Sequence, residues 1–417
     1  MCSNPCEIHR PSRRLWDGRD SGVNRLLLRT LCIVLAIAGE FWTLQQLCAQ
    51  SEYSVVTPVL KTKTGKIVSP LEFPAVDSEE RFWACLVSSD PINRRGVLRW
   101  EQRDRMFEFE LLPYAPLFYR GAPACLADIP TGTMLEVWGY GDEKTNLPRN
   151  ILRMSDDFSV KAFQQQVYKV ESIDADKKSF QASLVKRDPA HSQAYVPAVL
   201  KKDQSDLAPD SKPVTFSFND QTDWYIGNRL ATHEDLSVGQ TILTNFIRKF
   251  YDGPPLITRC TEVWLDRESQ DLATRKQFKA FQSYQRDRGF PLRVDRVDDA
   301  KKLVEVTLLE TGWNDIFREW KPGTVHDFCA STTQLRTWEP NGGQSVPDRM
   351  FGIVIQEIKE TPIGYGNGGV SMLVQVPRLY EAYRPGTIIK LYPSNHPVPI
   401  LPIEERLPKE FDTFLRP

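Results

Sequence analysis

The chain has 417 residues and carries 53 basic against 54 acidic side chains, a formal net charge of −1. At ~100–200 residues per domain the length sets two to four domains, and the charge balance excludes long-range attraction to a phosphate backbone. Thirty prolines against six methionines favour turns and loops over long helices.

The first expected element is a leader. The apolar run Thr30–Gly39 follows Arg25 and Arg29 and ends at Glu40. Ten residues are too short for a bilayer core, which needs ~20. A basic stretch, an apolar run and a small-residue exit are the parts of a secretory signal. Residues 1–49 therefore read as a signal peptide; of two exits, the Ala36-x-Ala38 pair and Ala49, the latter keeps the apolar run intact, and an uncleaved anchor through Leu47 is the alternative. A start at Val23 would leave a leader of ordinary length. Four cysteines lie beyond this segment, Cys85, Cys125, Cys260 and Cys329. None has C-x-x-C spacing, which gives no zinc or redox motif. A Cys85–Cys125 disulfide and four buried thiols both remain open.

Residues 50–79 contain prolines and no repeat, and are expected to be extended or weakly ordered. The body then shows internal similarity. Four stretches, Asp128–Trp138, Asp235–Phe246, Phe317–Phe328 and Tyr380–Tyr392, share one form. Each has a turn ending in glycine (Gly132, Gly239, Gly323, Gly386), followed by an alternating strand. Glycine supplies the positive φ that such a turn needs. Upstream, Val170–Leu184 and Val294–Leu308 align without a gap as strand, polar turn and strand, and Gly96–Leu111 has the same design. The expected order is β-module 1 over 80–155, a helical linker over 156–166, β-module 2 over 167–266 and a second helical linker over 267–289. β-module 3 over 290–340 and β-module 4 over 349–395 follow, then a Pro-rich tail over 396–417. The last two modules, joined only by a loop, are expected to pack as a pair. The longer linker has Ser269 as a cap, Gly289 as a stop, and an apolar stripe of Leu272, Phe278, Phe281 and Tyr284.

Ile363–Gly369, "IGYGNGG", has the G-x-G-x-x-G spacing of a dinucleotide turn. Such a turn must open a helix. Here the run lies between Phe351–Glu360 and Val370–Val376, both strand-like, so it reads as a hairpin loop. Its slack predicts that Gly366 tolerates alanine.

A hairpin, a variable arm and a glycine-turn strand together resemble the small bacterial β-barrel modules of unknown function found in exported proteins, which look like OB barrels. The resemblance covers about Gly96–Ser394. It implies an all-β fold of tandem OB-like modules joined by short helical linkers, and it brings no catalytic residues.

The residues themselves offer little chemistry. Five histidines form no local metal motif and there is no H-E-x-x-H. His233 reads as a solvated turn residue and His326 as an outward strand residue. No G-x-S-x-G nucleophile elbow is present. Asp174/Asp176 and Asp298/Asp299 read as turn residues. Trp224, Trp313 and Trp320 flank turns and are the candidates for stacking on sugar rings or bases, with core packing as their default. The expectation is a non-catalytic exported protein of the periplasm or cell envelope, or secreted. It needs no cofactor or metal and no nucleic acid, and binds an envelope protein or polysaccharide. It meets a membrane only through an uncleaved leader. The alternatives are a hydrolase of envelope polysaccharide with a carboxylate pair at a module junction, and nucleic-acid binding on an OB-like face.

Overall fold

The computed structural model describes residues 59–69, 72–75, 77–91, 94–141, 147–187, 212–249, 257–309, 320–330, 349–362, 364–379 and 383–393. Over these residues the chain is built of strands with two α-helices. A short hairpin of β1 (Leu60–Lys61) and β2 (Ile67–Val68) comes first. Module 1 follows: β3 (Glu80–Asp90), β4 (Arg95–Trp100), β5 (Arg105–Leu111), β6 (Leu117–Tyr119), β7 (Ala122–Ala124), β8 (Met134–Tyr140) and β9 (Asn150–Asp156). The sheet order is β5-β4-β3-β8-β9-β6-β7, and β5 also pairs in parallel with β9. That pairing closes five strands into a ring and leaves the β6–β7 hairpin appended. Alternation fills the ring: Phe82, Ala84 and Leu86 of β3 and Phe107, Phe109 and Leu111 of β5 point inward.

Helix α1 (Asp157–Phe163) leads into module 2. Its strands are β10 (Gln166–Asp174), β11 (Ser179–Lys186), β12 (Val214–Ser217), β13 (Asp223–Ile226), β14 (Arg229–Ala231), β15 (Thr241–Lys249) and β16 (Ile257–Trp264). The order is β12-β11-β10-β15-β16-β13-β14, with β12 parallel to β16. This is module 1 strand for strand. The first hairpin of module 1 is β3–β4, so Gly96–Leu111 is the second hairpin of its unit, not the counterpart of Val170–Leu184.

Helix α2 (Arg267–Arg288) separates module 2 from β17 (Phe290–Asp298), β18 (Leu303–Leu309), β19 (Val325–Ala330), β20 (Arg349–Glu360), β21 (Asn367–Gln375) and β22 (Ile388–Pro393). These six strands form one closed barrel, ordered β17-β18-β21-β20-β19-β22. The modules expected over 290–340 and 349–395 are therefore halves of a single barrel. Each half supplies a hairpin and one further strand, too few to close alone. Joined, they leave no edge strand unpaired.

One device recurs four times. The N–H of Gly132, Gly239, Gly323 and Gly386 donates to the carbonyl of Leu86, Val170, Ile355 and Val294, at 2.6, 2.7, 2.7 and 2.8 Å. The N–H of each of those residues donates back to the residue after the glycine. Each also sits at a β-bulge of its strand. The four glycines have φ of +90°, +86°, +88° and +89°, where a β-branched side chain is strained. In modules 1 and 2 the glycine clamps the first strand of its own unit. In the barrel, Gly323 follows β17–β18 but clamps β20, and Gly386 follows β20–β21 but clamps β17. The two halves have exchanged their glycine strands.

Several expectations need correction. Residues 59–69 are packed rather than loose: Leu60 and Val68 belong to the core of module 1, and Lys61 bridges Gly141. Asp266, not Ser269, caps α2; its carboxylate accepts from the Ser269 N–H at 2.8 Å. The buried face of α2 is largely polar, with Gln270, Thr274, Gln277 and Gln285 beside Ala273 and Phe281, while Leu272, Phe278 and Tyr284 are only half-buried. Cys85, Cys125 and Cys260 are free thiols, so no Cys85–Cys125 disulfide forms. Gly366 has no slack: a Cβ there would lie 2.5 Å from the Phe73 ring and 2.8 Å from the Tyr114 ring. His326 is buried, with Nε2 2.9 Å from the Thr324 hydroxyl. The leader and the tail after 395 lie outside the described residues.

Candidate functional site

The chemistry-bearing side chains gather where module 1 meets module 2. The local cause is a pinned turn. Arg120 and Gly121 form the tip of the β6–β7 hairpin, both at positive φ. Asp156 caps α1 and accepts the Ser159 N–H, at 3.0 Å, and the Arg120 N–H, also at 3.0 Å. The Gly121 N–H donates to the Ser159 hydroxyl at 2.8 Å. Module 2 repeats the arrangement: Asp266 caps α2 and accepts from the N–H of Gly227 at the tip of β13–β14. One carboxylate thus fixes both the helix start and the hairpin tip.

The first copy adds a network of buried polar side chains that joins the two modules. Asn245 of β15 donates its amide to Asp156 at 2.7 Å and to Glu262 of β16 at 3.1 Å. Glu262 also accepts from the Tyr119 hydroxyl at 2.8 Å and pairs with the Arg120 guanidinium. The Asn245 carbonyl oxygen accepts the Phe158 N–H, which orients the amide. Tyr168 donates to Asp157 at 3.0 Å. Two carboxylates from different modules therefore share one amide. Burial pushes the Asp156 carboxyl up to about 6, against the pull of its Ser159, Arg120 and Asn245 donors. Burial, then the Glu262 charge, push the Tyr119 phenol up, so it stays a neutral donor.

A carboxylate pair at a module junction is the pattern that a hydrolase would use. Here Asp156 is 0% and Glu262 7% exposed, and α2 lies across the site with the Thr274 hydroxyl on the Arg120 carbonyl at 2.8 Å. A polymer chain cannot reach either carboxylate in this arrangement. The pair instead ties β9, β15, β16 and the β6–β7 tip together.

The other candidates lie elsewhere. Trp224 is buried in module 2, edge-on to Phe218 at 5.3 Å, and Trp320 is buried in the barrel, edge-on to Phe290 at 5.4 Å. Both occupy cores rather than a stacking face, and Trp313 lies outside the described residues. His233 is exposed. Asp174 and Asp298 receive the Lys177 and Lys301 N–H groups in their turns. No group of three metal-ligating side chains occurs among the described residues.

A shallow groove on the barrel is lined by Arg296, Glu305, Glu357 and Lys359 around Ser371–Leu373. Its charges pair internally, Arg296 with Glu305 at 3.1 Å and Lys359 with Glu357 at 3.0 Å. On module 1, Arg95, Arg99 and Arg149 pair with Asp90, Asp104 and Glu108. These faces are of mixed charge, unlike the basic, aromatic-lined groove of a nucleic-acid binder.

The sequence suggests a carboxylate pair at a module junction only as an alternative, and without naming its residues. The helix starts did leave a signal: Asp156-x-x-Ser159 and Asp266-x-x-Ser269 share one cap spacing, and a "KAFQ" follows each, at Lys161–Gln164 and at Lys279–Gln282. Glu262, Asn245 and Arg120 gave no local signal.

Together, fold and site define a class: an all-β protein of barrel modules joined by short helices. A scan against protein-family models, a search of curated proteins and a search of solved structures each give no match to this chain.

Proposed function

We propose that the chain is a non-catalytic binding or scaffolding protein, exported to the cell envelope and presenting the fixed surfaces of its barrels to an envelope protein or polysaccharide. One observation carries this reading. The constellation most suited to acid–base chemistry, Asp156 with Glu262, is committed to joining two modules and is closed to substrate. The basic, apolar leader supports export. The closing pattern of modules 1 and 2, a three-strand meander whose third strand runs parallel to the fifth, supports the likeness to OB barrels.

The test is a pull-down from envelope extract with the full exported chain, reading captured proteins and glycans by mass spectrometry. Reproducible capture of one partner is expected, unchanged in Glu262→Gln. Shortening of an envelope polysaccharide by the protein, lost in Glu262→Gln, would overturn the reading in favour of a hydrolase. That rival draws on the same carboxylate pair and requires α2 to lift from the junction.

A further inference from the structure

The run "IGYGNGG" takes no part in the junction of modules 1 and 2. Its centre, Gly364–Asn367, is a hairpin tip between β20 and β21, closed by the Asn367 N–H on the Gly364 carbonyl at 3.1 Å. Tyr365 at that tip is 3% exposed and belongs to the core cluster of module 1, not to that of its own barrel. Its ring meets Trp138 edge-on at 5.9 Å, and its hydroxyl lies 3.4 Å from Glu79 and 3.3 Å from the Arg81 guanidinium. Gly366 presses against Phe73 and Tyr114 so closely that a Cβ has no room. Arg293 of β17 stacks over the other partner in this seam, the Phe73 ring, at 3.8 Å.

We infer that the Tyr365–Gly366 tip is a latch, seating the C-terminal barrel on module 1 through a slot built from Phe73, Glu79, Arg81, Tyr114 and Trp138. Three features support it. The slot is made by stretches far apart in sequence, so it exists only once the N-terminal segment and module 1 have packed. The β20–β21 ladder pairs Val354–Glu360 with Val370–Gln375, and the β18–β21 ladder ends with Asn367 on Leu309, so neither includes Tyr365 or Gly366. The tip can therefore leave its slot while the barrel stays closed. The slot is also partly polar: Glu79 is buried, bonds Arg81 at 2.6 Å through one oxygen, and has no hydrogen-bond partner on the other. A seam with such a group gains less from burial than an apolar one, so seating is reversible at modest cost. The latch rests on the scaffold reading and names what fixes one barrel against another, but its test needs no partner.

The test is hydrogen exchange on the full chain, comparing wild type, Gly366→Ala and Gly364→Ala. A Cβ at Gly364 meets nothing within 4 Å, which makes that variant the matched control. Gly366→Ala is expected to raise exchange in 72–81 and at the tip by more than about tenfold, with β17, β18 and β22 still protected. Gly364→Ala should match wild type. Tyr365→Ala, which removes the plug without backbone strain, should repeat the release. Unchanged protection of 72–81 in Gly366→Ala and Tyr365→Ala would overturn the latch. Equal loss of protection throughout β17–β22 would also overturn it, because the tip would then be part of the barrel's own fold.

Discussion

The N–H of Gly386 donates to the carbonyl of Val294 at 2.8 Å, so the last glycine turn of the chain closes on the first strand of its barrel. The intervening residues include a second hairpin and a second glycine turn, and that turn closes on Ile355 instead. Neither half of the barrel owns the strand that completes it. A chain ending near residue 345 is therefore expected to leave β17–β18 unfolded, although it contains all of the stretch expected as one module. A chain ending at 395 should retain the barrel. Circular dichroism and exchange protection of Leu292–Leu308 in the two truncations check this. Native-like protection in the shorter chain would refute the exchange.

The common turn makes a second prediction. Gly239 and Gly323 face open space, so a side chain there meets no atom and only the backbone is strained. Valine at either position should cost ~1–3 kcal/mol. Thermal melts of Gly239→Val and Gly323→Val should show similar losses, and exchange should place them in module 2 and in the barrel respectively. Negligible shifts in both would show that the positive φ of +86° and +88° is not required. At Gly366 the same assay should give a loss no larger than the cost of seating the tip, since the tip can leave its slot rather than bear the clash.

The four glycine strands were legible because a turn ending in glycine and an alternating strand are local features. So were the two helices and the hairpin nature of "IGYGNGG". The exchange was not legible, because strand pairing between distant segments leaves no trace in either segment's periodicity. The contact face of α2 escaped for another reason. Thr274 and Gln277 cover the edge of β7 by hydrogen bonds to the Arg120 and Pro123 carbonyls, and a hydrophobic stripe cannot report a polar face. Tyr365 looked like a loop residue because its partners Glu79 and Trp138 lie in the opposite half of the chain.

The Arg120–Glu262 pair allows a third prediction. Removing Arg120 leaves the Glu262 carboxylate buried beside Asp156 without its cation. For a fully buried pair such a loss costs ~3–5 kcal/mol. The Arg120 side chain is 31% exposed, so solvent screening reduces the expected loss to roughly 2 kcal/mol for Arg120→Ala. Glu262→Gln removes the charge that needs compensating and should cost less. Denaturant unfolding of both variants checks the order. A larger loss for Glu262→Gln would mean that the Tyr119 and Asn245 hydrogen bonds, rather than the ion pair, hold the junction.

The proposed sealing of the junction also predicts its pH dependence. Burial raises the Asp156 carboxyl from its ordinary 3.8 to about 6 in the folded chain. A carboxyl that holds its proton more tightly when folded stabilises most below its unfolded value. That contribution fades as pH rises from about 4 through about 6 and is gone above. A rise of that size corresponds to a swing on the order of 3 kcal/mol, since a tenfold change in proton affinity is worth about 1.4 kcal/mol. Lowering pH from 7.5 to 5 should therefore raise the melting temperature of wild type, before the general loss of ion pairs at lower pH sets in. Asp156→Asn cannot ionise and still offers a cap oxygen to Ser159, so its melting temperature should be nearly flat over that window. A wild-type profile as flat as the variant's would mean that the Arg120, Ser159 and Asn245 donors hold the carboxylate ionised. A falling profile towards pH 5, present in wild type and absent in the variant, would reverse the sign and place Asp156 below its ordinary value.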